Sequence, residues 1–142
     1  MAADPRFTGL WRLVSLTRRE PDGKVVHGFG ENPVGYIAYY PTGHMGVHIM
    51  RKERKPFAAG PGRATPEEKI AAFDTFTAYC GTYSVSEAEK TVIHHVQASS
   101  SPSNVGSDQR RLFTFTGNRL ILRVAPSPAN SAATEVVWEK VS

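Results

Sequence analysis

Short apolar runs and runs of alternating apolar and polar residues, separated by turn residues, account for most of the 142-residue chain. This pattern is typical of antiparallel β-strands with one buried face. Strands are predicted at 9–18, 24–28, 34–40, 44–50, 78–85, 90–98, 109–116, 119–125 and 134–141. Three of the intervening turns have residues suited to hairpins, namely Pro21-Asp22-Gly23, Pro41-Thr42-Gly43 and Gly117-Asn118.

The segment ATPEEKIAAFDTFTAYC departs from this pattern and predicts a helix. Thr65 is the candidate N-cap, Pro66 occupies the first helical position, and Glu68 lies three residues after the cap. Apolar residues then recur at helical spacing, which predicts one short helix near 66–76. Together with the Gly/Pro-rich basic loop at 51–64, this helix could cover one end of a barrel.

These elements predict an all-β fold, an antiparallel up-and-down β-barrel of about eight strands, because closure removes the exposed edges of an open sheet. The length predicts a single domain over residues 1–142 that buries a core without disulfides. A barrel of about eight strands is either filled by side chains or holds one small ligand.

Composition and charge argue against several classes of function. The net charge is only +4, and the basic residues are scattered, which argues against a nucleic-acid partner. No apolar run reaches the length of a signal peptide or a membrane span, so we expect a cytoplasmic protein that does not bind membranes. Cys80 is the single cysteine, and we expect it to be a small buried hydrophobe.

Alternation along each strand predicts which side chains face the barrel interior. On the first strand, Trp11, Leu13 and Ser15 share a face. The other strands give an inward set rich in aromatic residues, with His94 on an otherwise apolar face. The side chains predicted to contact a ligand in the interior are Trp11, Met45, Val47, Tyr79, Tyr83, Phe113 and Trp138.

The hairpin GYIAYYPTGHMGVHIMR concentrates ionisable residues, and its register decides which of them face inward. If Tyr40 pairs with His44 across the turn, Tyr39 lies on the more apolar face, together with Met45 and Val47. This face is predicted to line the interior. The residues then predicted to face outward are Tyr36, Tyr40, His44 and His48. A one-residue slip would exchange the two faces.

The histidine spacing predicts no metal site. His44 and His48 would suit zinc on a helix, but on a strand they stand about 13 Å apart at roughly 3.3 Å per residue. His94 and His95 are neighbours on a strand and point to opposite faces. We also find no Gly-x-Ser-x-Gly nucleophile motif and no phosphate-binding loop, so no cofactor is predicted.

General acid–base chemistry remains open. His94 could move a proton, Tyr39 could donate a hydrogen bond to a developing enolate, and Arg111 could hold an anionic group. These three residues are therefore the candidate catalytic set. The alternative is that they are polar side chains satisfied inside a barrel that binds a ligand or is filled by its own side chains.

The amino-acid sequence resembles that of a known family. Gly9-Leu10-Trp11 at the start of the first strand resembles the Gly-x-Trp signature of lipocalins and other calycins. The ordered set GLWRLVSL, DGKVVHGFGENPVGYIAYYPTGHM, TPEEKIAAFDTFTAYCGTYSV, HHV and VVWEKV resembles the bacterial and fungal lipocalin-like domain proteins over essentially the whole chain.

The resemblance implies a calycin-type barrel with an internal cavity for a small, mostly apolar molecule. Some barrels of this kind are cofactor-free cyclases or isomerases in natural-product pathways, and others only carry ligands. The resemblance further implies a late-strand arginine packed over the signature tryptophan, for which Arg111 and Arg123 are the candidates over Trp11.

The leading hypothesis is therefore a lipocalin-like barrel that binds a small apolar or aromatic molecule, with catalysis of its isomerisation or cyclisation left open. The alternatives are a non-catalytic carrier and a structural or interaction protein. In the last case the outward face with Tyr36 and Tyr40 would pack against a second copy to form a homodimer.

Overall fold

The computed structural model describes residues 3–125, 127–128 and 131–141. Within them the chain forms nine strands, one α-helix and one short 3₁₀ turn at Pro102–Asn104. In chain order the elements are β1 (Gly9–Arg19), β2 (Val25–Val26), β3 (Val34–Tyr39), β4 (His44–Met50), α1 (Pro66–Asp74), β5 (Phe76–Ser86), β6 (Thr91–Ser99), β7 (Asp108–Thr116), β8 (Arg119–Val124) and β9 (Ala133–Lys140).

The strands close into a barrel. Neighbouring strands from β3 to β9 pair antiparallel in chain order, and β1 joins the ends of this series by pairing with both β3 and β9. The barrel thus has eight strands, while β2 only extends one edge of β1 at Arg18 and Arg19. This confirms the predicted antiparallel up-and-down barrel.

The helix begins as predicted and ends earlier. Thr65 caps it, with its side chain accepting from the Glu68 backbone N–H and the Glu68 carboxylate accepting from the Thr65 backbone N–H. It ends at Asp74, and β5 begins at Phe76, two residues before the predicted start of that strand. The helix packs beside β5 and has no buried residue, so it remains largely exposed.

The β3–β4 hairpin has the predicted register. Gly43 adopts a φ of 87°, which completes the tight turn, and the Tyr40 N–H donates to the His44 carbonyl at 2.9 Å. Tyr39 pairs with Met45, and both side chains are buried. His44 and the other residues predicted to face outward are exposed.

Two irregular pairings change which face later residues occupy. Between Leu13 and Ser15 a bulge shifts β1 against β9, so Ser15 pairs with Val137 instead of sharing the face of Trp11. The expected inward position of Ser15 is therefore wrong, and Leu16 packs against the core instead.

A second shift lies between β5 and β6, beside Gly81. A side chain at position 81 would overlap the backbone carbonyl oxygen of His95, so only glycine allows the two strands to approach this closely. Just before the shift, Cys80 pairs with Ala98 on the outside of the barrel. Cys80 is exposed, which corrects the expectation that it is buried.

The N-terminal segment fills one end of the barrel. Phe7 is fully buried and contacts the rings of Tyr39, Tyr83 and Phe113. The Tyr83 hydroxyl accepts from the Asp4 N–H at 3.0 Å, which ties this segment to β5. Inward-facing residues near this end are buried almost completely.

The other half of the barrel is less covered. Several of its inward-facing side chains are only partly buried, namely Leu16, Tyr79, Gln109, Arg111 and Val136. We call this part of the inner face the open half. Among the described residues, no helix is long and apolar enough to cross a membrane.

Candidate functional site

The predicted catalytic histidine lies at the centre of a buried hydrogen-bonded cluster. His94 is 1% exposed, on the inward face of β6 opposite Tyr83 of β5. The Tyr39 hydroxyl lies 2.6 Å from His94 Nε2, and the Tyr79 hydroxyl lies 2.7 Å from His94 Nδ1. We refer to Tyr39, Tyr79 and His94 as the inner cluster.

Burial keeps all three members of the inner cluster neutral. It lowers the pKa of His94 to about 3, with smaller contributions from the charges of Arg111 and His95. It also raises the pKa of Tyr39 well above its ordinary value, and neighbouring Tyr79 and Tyr83 add to this effect. The pKa of Tyr79 is raised by burial too, although Arg111 acts in the opposite direction.

The hydrogen bonds of the inner cluster leave one hydrogen unused. A neutral imidazole has one N–H donor and one acceptor nitrogen. One tyrosine must therefore donate to His94 while the other accepts from it. The accepting tyrosine keeps its own hydroxyl hydrogen, whichever tautomer is present. The cluster thus has one more hydroxyl hydrogen than its internal bonds require.

Arg111, the third predicted catalytic residue, lies beside the inner cluster rather than within it. It is half-buried and shares the inward face of β7 with Phe113 and Gln109. Its guanidinium donates to the Gln109 side chain at 3.3 Å and to the Arg110 carbonyl at 3.0 Å. It therefore provides a positive charge in the open half, next to the Tyr79 hydroxyl.

Trp138 carries a second unused donor. Its side chain is 2% exposed and faces inward on β9, opposite Leu120 and Leu13. Its indole Nε1 is buried and has no hydrogen-bond partner among the described residues. A buried N–H of this kind is unusual, since tryptophan normally finds a partner when it is buried.

The other predicted ligand-binding residues all lie on the inner face, but several hold the protein together. The indole N–H of Trp11 donates to the Phe7 carbonyl at 2.8 Å, and the Tyr83 hydroxyl accepts from the Asp4 N–H. Met45 and Val47 are buried on β4, and Phe113 packs on Phe7. Their contacts with the N-terminal segment give Trp11, Tyr83 and Phe113 structural roles.

The cation over Trp11 is a lysine. Lys140 Nζ lies 4.6 Å from the Trp11 ring centroid and donates to the Thr8 carbonyl at 2.5 Å. The expectation of Arg111 or Arg123 at this place is wrong, because Arg111 lies beside the inner cluster and Arg123 pairs with Glu135. The sequence could have predicted this lysine, because Lys140 lies two residues after Trp138 on β9 and alternation places both side chains on the same face.

Sequence reasoning also missed Phe7 and Gln109. Phe7 precedes the first predicted strand, so no strand pattern includes it, yet its ring fills one end of the barrel. Gln109 begins the inward face of β7 and orients Arg111 through its side-chain oxygen. The same alternation that predicted Arg111 inward would have placed Gln109 beside it.

Two surface depressions lie elsewhere. One, of about 340 Å³, is lined mainly by outward-facing residues of β1, β8 and β9, including Arg123 and Glu135. The other, of about 280 Å³, surrounds Cys80 and borders Tyr79. Neither contains His94, Tyr39 or Arg111 in its lining. In the described part of the chain, no three His, Cys, Asp or Glu residues are arranged to hold a metal ion.

Comparison with known proteins places the chain in a family. No curated protein and no solved structure matches it. The model of the lipocalin-like domain matches residues 8–141, from just before β1 to just after β9. This match agrees with the closed barrel and with the resemblance found in the sequence. The chain belongs to the lipocalin-like domain family.

Proposed function

We propose that the protein binds a small, mainly apolar or aromatic molecule on the inner face of its barrel, in the open half. A lipocalin-like barrel suggests small-molecule binding. The observation that carries the proposal is the spare hydrogen of the inner cluster, whose member Tyr79 lies in the open half beside Arg111. The buried Trp138 N–H is a further unused donor on the inner face. An unsatisfied buried polar group costs about 1–3 kcal/mol, which a ligand oxygen would recover.

The surrounding side chains define the chemistry of the ligand. The inner face is otherwise apolar and aromatic, which suits a hydrocarbon or aromatic body. The inner cluster and Trp138 offer neutral donors, which suit a carbonyl or hydroxyl oxygen. Arg111, nearer to solvent, suits an anionic group at the other end of the molecule.

Fluorescence titration with anilinonaphthalene sulfonate tests this proposal, because the probe combines an aromatic body with one anionic group. We expect a saturable rise in probe fluorescence. Arg111→Gln should weaken binding by at least about tenfold, since a hydrogen bond to a charged group contributes roughly 1.5–3 kcal/mol.

Arg119→Gln is the matched control, because it removes the same charge from an exposed position on β8. Its binding should equal that of the parent protein. Binding that does not saturate, or equal weakening by the two substitutions, would contradict a site in the open half.

A second candidate function is the cofactor-free isomerisation or cyclisation of that ligand, and the tyrosine–histidine–tyrosine arrangement favours it. The neutral ring of His94 would serve as the base, with a tyrosine as hydrogen-bond donor to a developing enolate. The lowered pKa of His94, about 3, makes this ring a weak base, so binding is the leading function and catalysis the second candidate. Arg111 would hold the anionic group.

Isomerisation and ring closure conserve mass, so molecules released from protein purified from its own host distinguish the two functions. An enzyme would release two molecules of one mass that separate by chromatography, and its Tyr39→Phe variant would release only the substrate. A carrier would release a single molecule from both proteins.

A further inference from the structure

A second hydrogen-bonded cluster lies on the outside of the barrel, across β5, β6 and β7. The Ser84 hydroxyl lies 2.9 Å from His95 Nε2, and His95 Nδ1 lies 2.8 Å from an Asp108 carboxylate oxygen. We call Ser84, His95 and Asp108 the outer cluster. We propose that it is a nucleophilic serine site that transfers acyl groups from small carboxylic esters.

The hydrogen bonds fix the histidine tautomer that such a site needs. An ionised carboxylate can only accept hydrogen bonds, so Nδ1 of His95 must carry the hydrogen that bonds Asp108. In the neutral ring, Nε2 is then the acceptor, and the Ser84 hydroxyl donates to it. The serine proton already points at a base that an acidic residue orients, which is the arrangement required to activate a serine.

Strand register holds the outer cluster together. His95 pairs with Asp108 of β7 on one side and with Thr82 of β5 on the other, and Ser84 lies two residues after Thr82 on the same face. Gly81 lets the β5 backbone approach the His95 carbonyl closely. These contacts are all between strands of the closed barrel, so the cluster is built on rigid elements.

A substrate can reach the outer cluster from solvent. The Asp108 side chain is 52% exposed and that of His95 is 30% exposed. Across the sheet, Ser84 of β5 pairs with Ile93 of β6, and Ile93 pairs with Arg110 of β7. At roughly 4.8 Å between strands, the Ser84 and Arg110 backbones lie about 10 Å apart on one face. Arg110 therefore gives this face of the barrel a positive charge that suits an ester with an anionic group.

The proposed reaction needs only the ester and water. The Ser84 oxygen attacks the ester carbonyl carbon while its proton passes to His95 Nε2. The bond between that carbon and the alcohol oxygen breaks, and the alcohol leaves with the proton from His95. Water then attacks the acyl-serine with His95 as base, which releases the carboxylic acid and restores the Ser84 hydroxyl.

Labelling with an alkyl fluorophosphonate tests the proposal directly, because the reagent forms a stable bond with activated serines. Peptide mass spectrometry should locate the label on Ser84, and incubation with nitrophenyl acetate should leave an acetyl group there. We expect His95→Gln and Asp108→Asn each to slow labelling by at least about tenfold, since each removes the base or its orientation.

Ser86 is the matched internal control. It lies two residues after Ser84 on the same face of β5, and its hydroxyl accepts from the Glu89 N–H instead of contacting a histidine. Ser86→Ala should label at the parental rate, and Ser84→Ala should not label. Labelling of Ser84 that is no faster than that of Ser86, or that is unchanged in His95→Gln, would overturn the proposal. Circular dichroism of each variant checks that the barrel is intact.

Discussion

His94 and His95 are neighbours on β6, yet the barrel gives them opposite environments. His94 faces inward, is 1% exposed and contacts two tyrosine hydroxyls. His95 faces outward, where it contacts Ser84 and the Asp108 carboxylate. Because successive residues of a strand point to opposite faces, one residue of spacing separates a buried site from an exposed one.

The comparison shows that partners and burial, rather than residue type, decide what a histidine can do. In the interior, burial lowers the pKa of His94 to about 3 and keeps the ring neutral, which suits hydrogen bonding to a ligand. On the outside, a carboxylate orients His95 toward a serine, which suits proton transfer. This difference underlies the two proposals, ligand binding at the inner cluster and covalent chemistry at the outer cluster.

The largest effect should come from removing an inner side chain that supports His94. Tyr83 pairs with His94 across β5 and β6 and is completely buried. We expect Tyr83→Ala to lower the free energy of unfolding by about 3–5 kcal/mol, through lost burial and the cavity left behind. Urea unfolding followed by tryptophan fluorescence measures this loss.

The exposed Tyr40 is the control for that substitution. Its side chain is 50% exposed on the outer face of the hairpin, and Tyr40→Ala should change the free energy of unfolding by less than about 0.5 kcal/mol. A loss of similar size in both variants would mean that the two faces of the barrel are not energetically distinct.

The sequence predicted the fold well because the signals are local. Alternation indicates the strands, and the Gly43 turn sets the register that places Tyr39 inward and His44 outward. Ser15 was misplaced because the bulge between β1 and β9 arises from closing the barrel, which no local pattern records.

The two clusters differ in how far the sequence could predict them. Alternation placed His94 and Tyr39 on the inner face, but their hydrogen bond depends on how distant strands meet across the barrel. The outer cluster was missed because a search for a linear nucleophile motif cannot find Ser84, His95 and Asp108. These residues come together only through the pairing of three strands.

The next largest effect should be a loss of stability as the pH falls. The folded pKa of His94 is about 3 and its ordinary value is 6.5, so the unfolded chain takes up a proton that the folded chain rejects. The stability that the neutral His94 ring gives the folded chain is complete above pH 6.5 and is lost as the pH falls toward 3. Lowering the pH from 7.5 to 5.0 should therefore reduce the free energy of unfolding by about 2 kcal/mol, at about 1.4 kcal/mol per pH unit.

Substituting each histidine separately sharpens the comparison. Urea unfolding at the two pH values should show that His94→Gln loses this part of the pH dependence, because the group that titrates is gone. His95→Gln should keep it, since the buried ring is still present. An unchanged pH dependence in His94→Gln would show that the interior does not exclude the proton from His94.

A smaller effect on stability should come from the outer cluster. Asp108 and His95 are partly exposed, and an exposed pair of this kind contributes about 0–1 kcal/mol. We therefore expect Asp108→Asn to lower the free energy of unfolding by less than about 1 kcal/mol in urea at pH 7.5. A loss above about 2 kcal/mol would indicate that the outer cluster serves mainly to join β6 to β7. A small loss matters for the chemistry as well, because a variant that folds like the parent but labels slowly at Ser84 has lost the orientation of its base and not its fold.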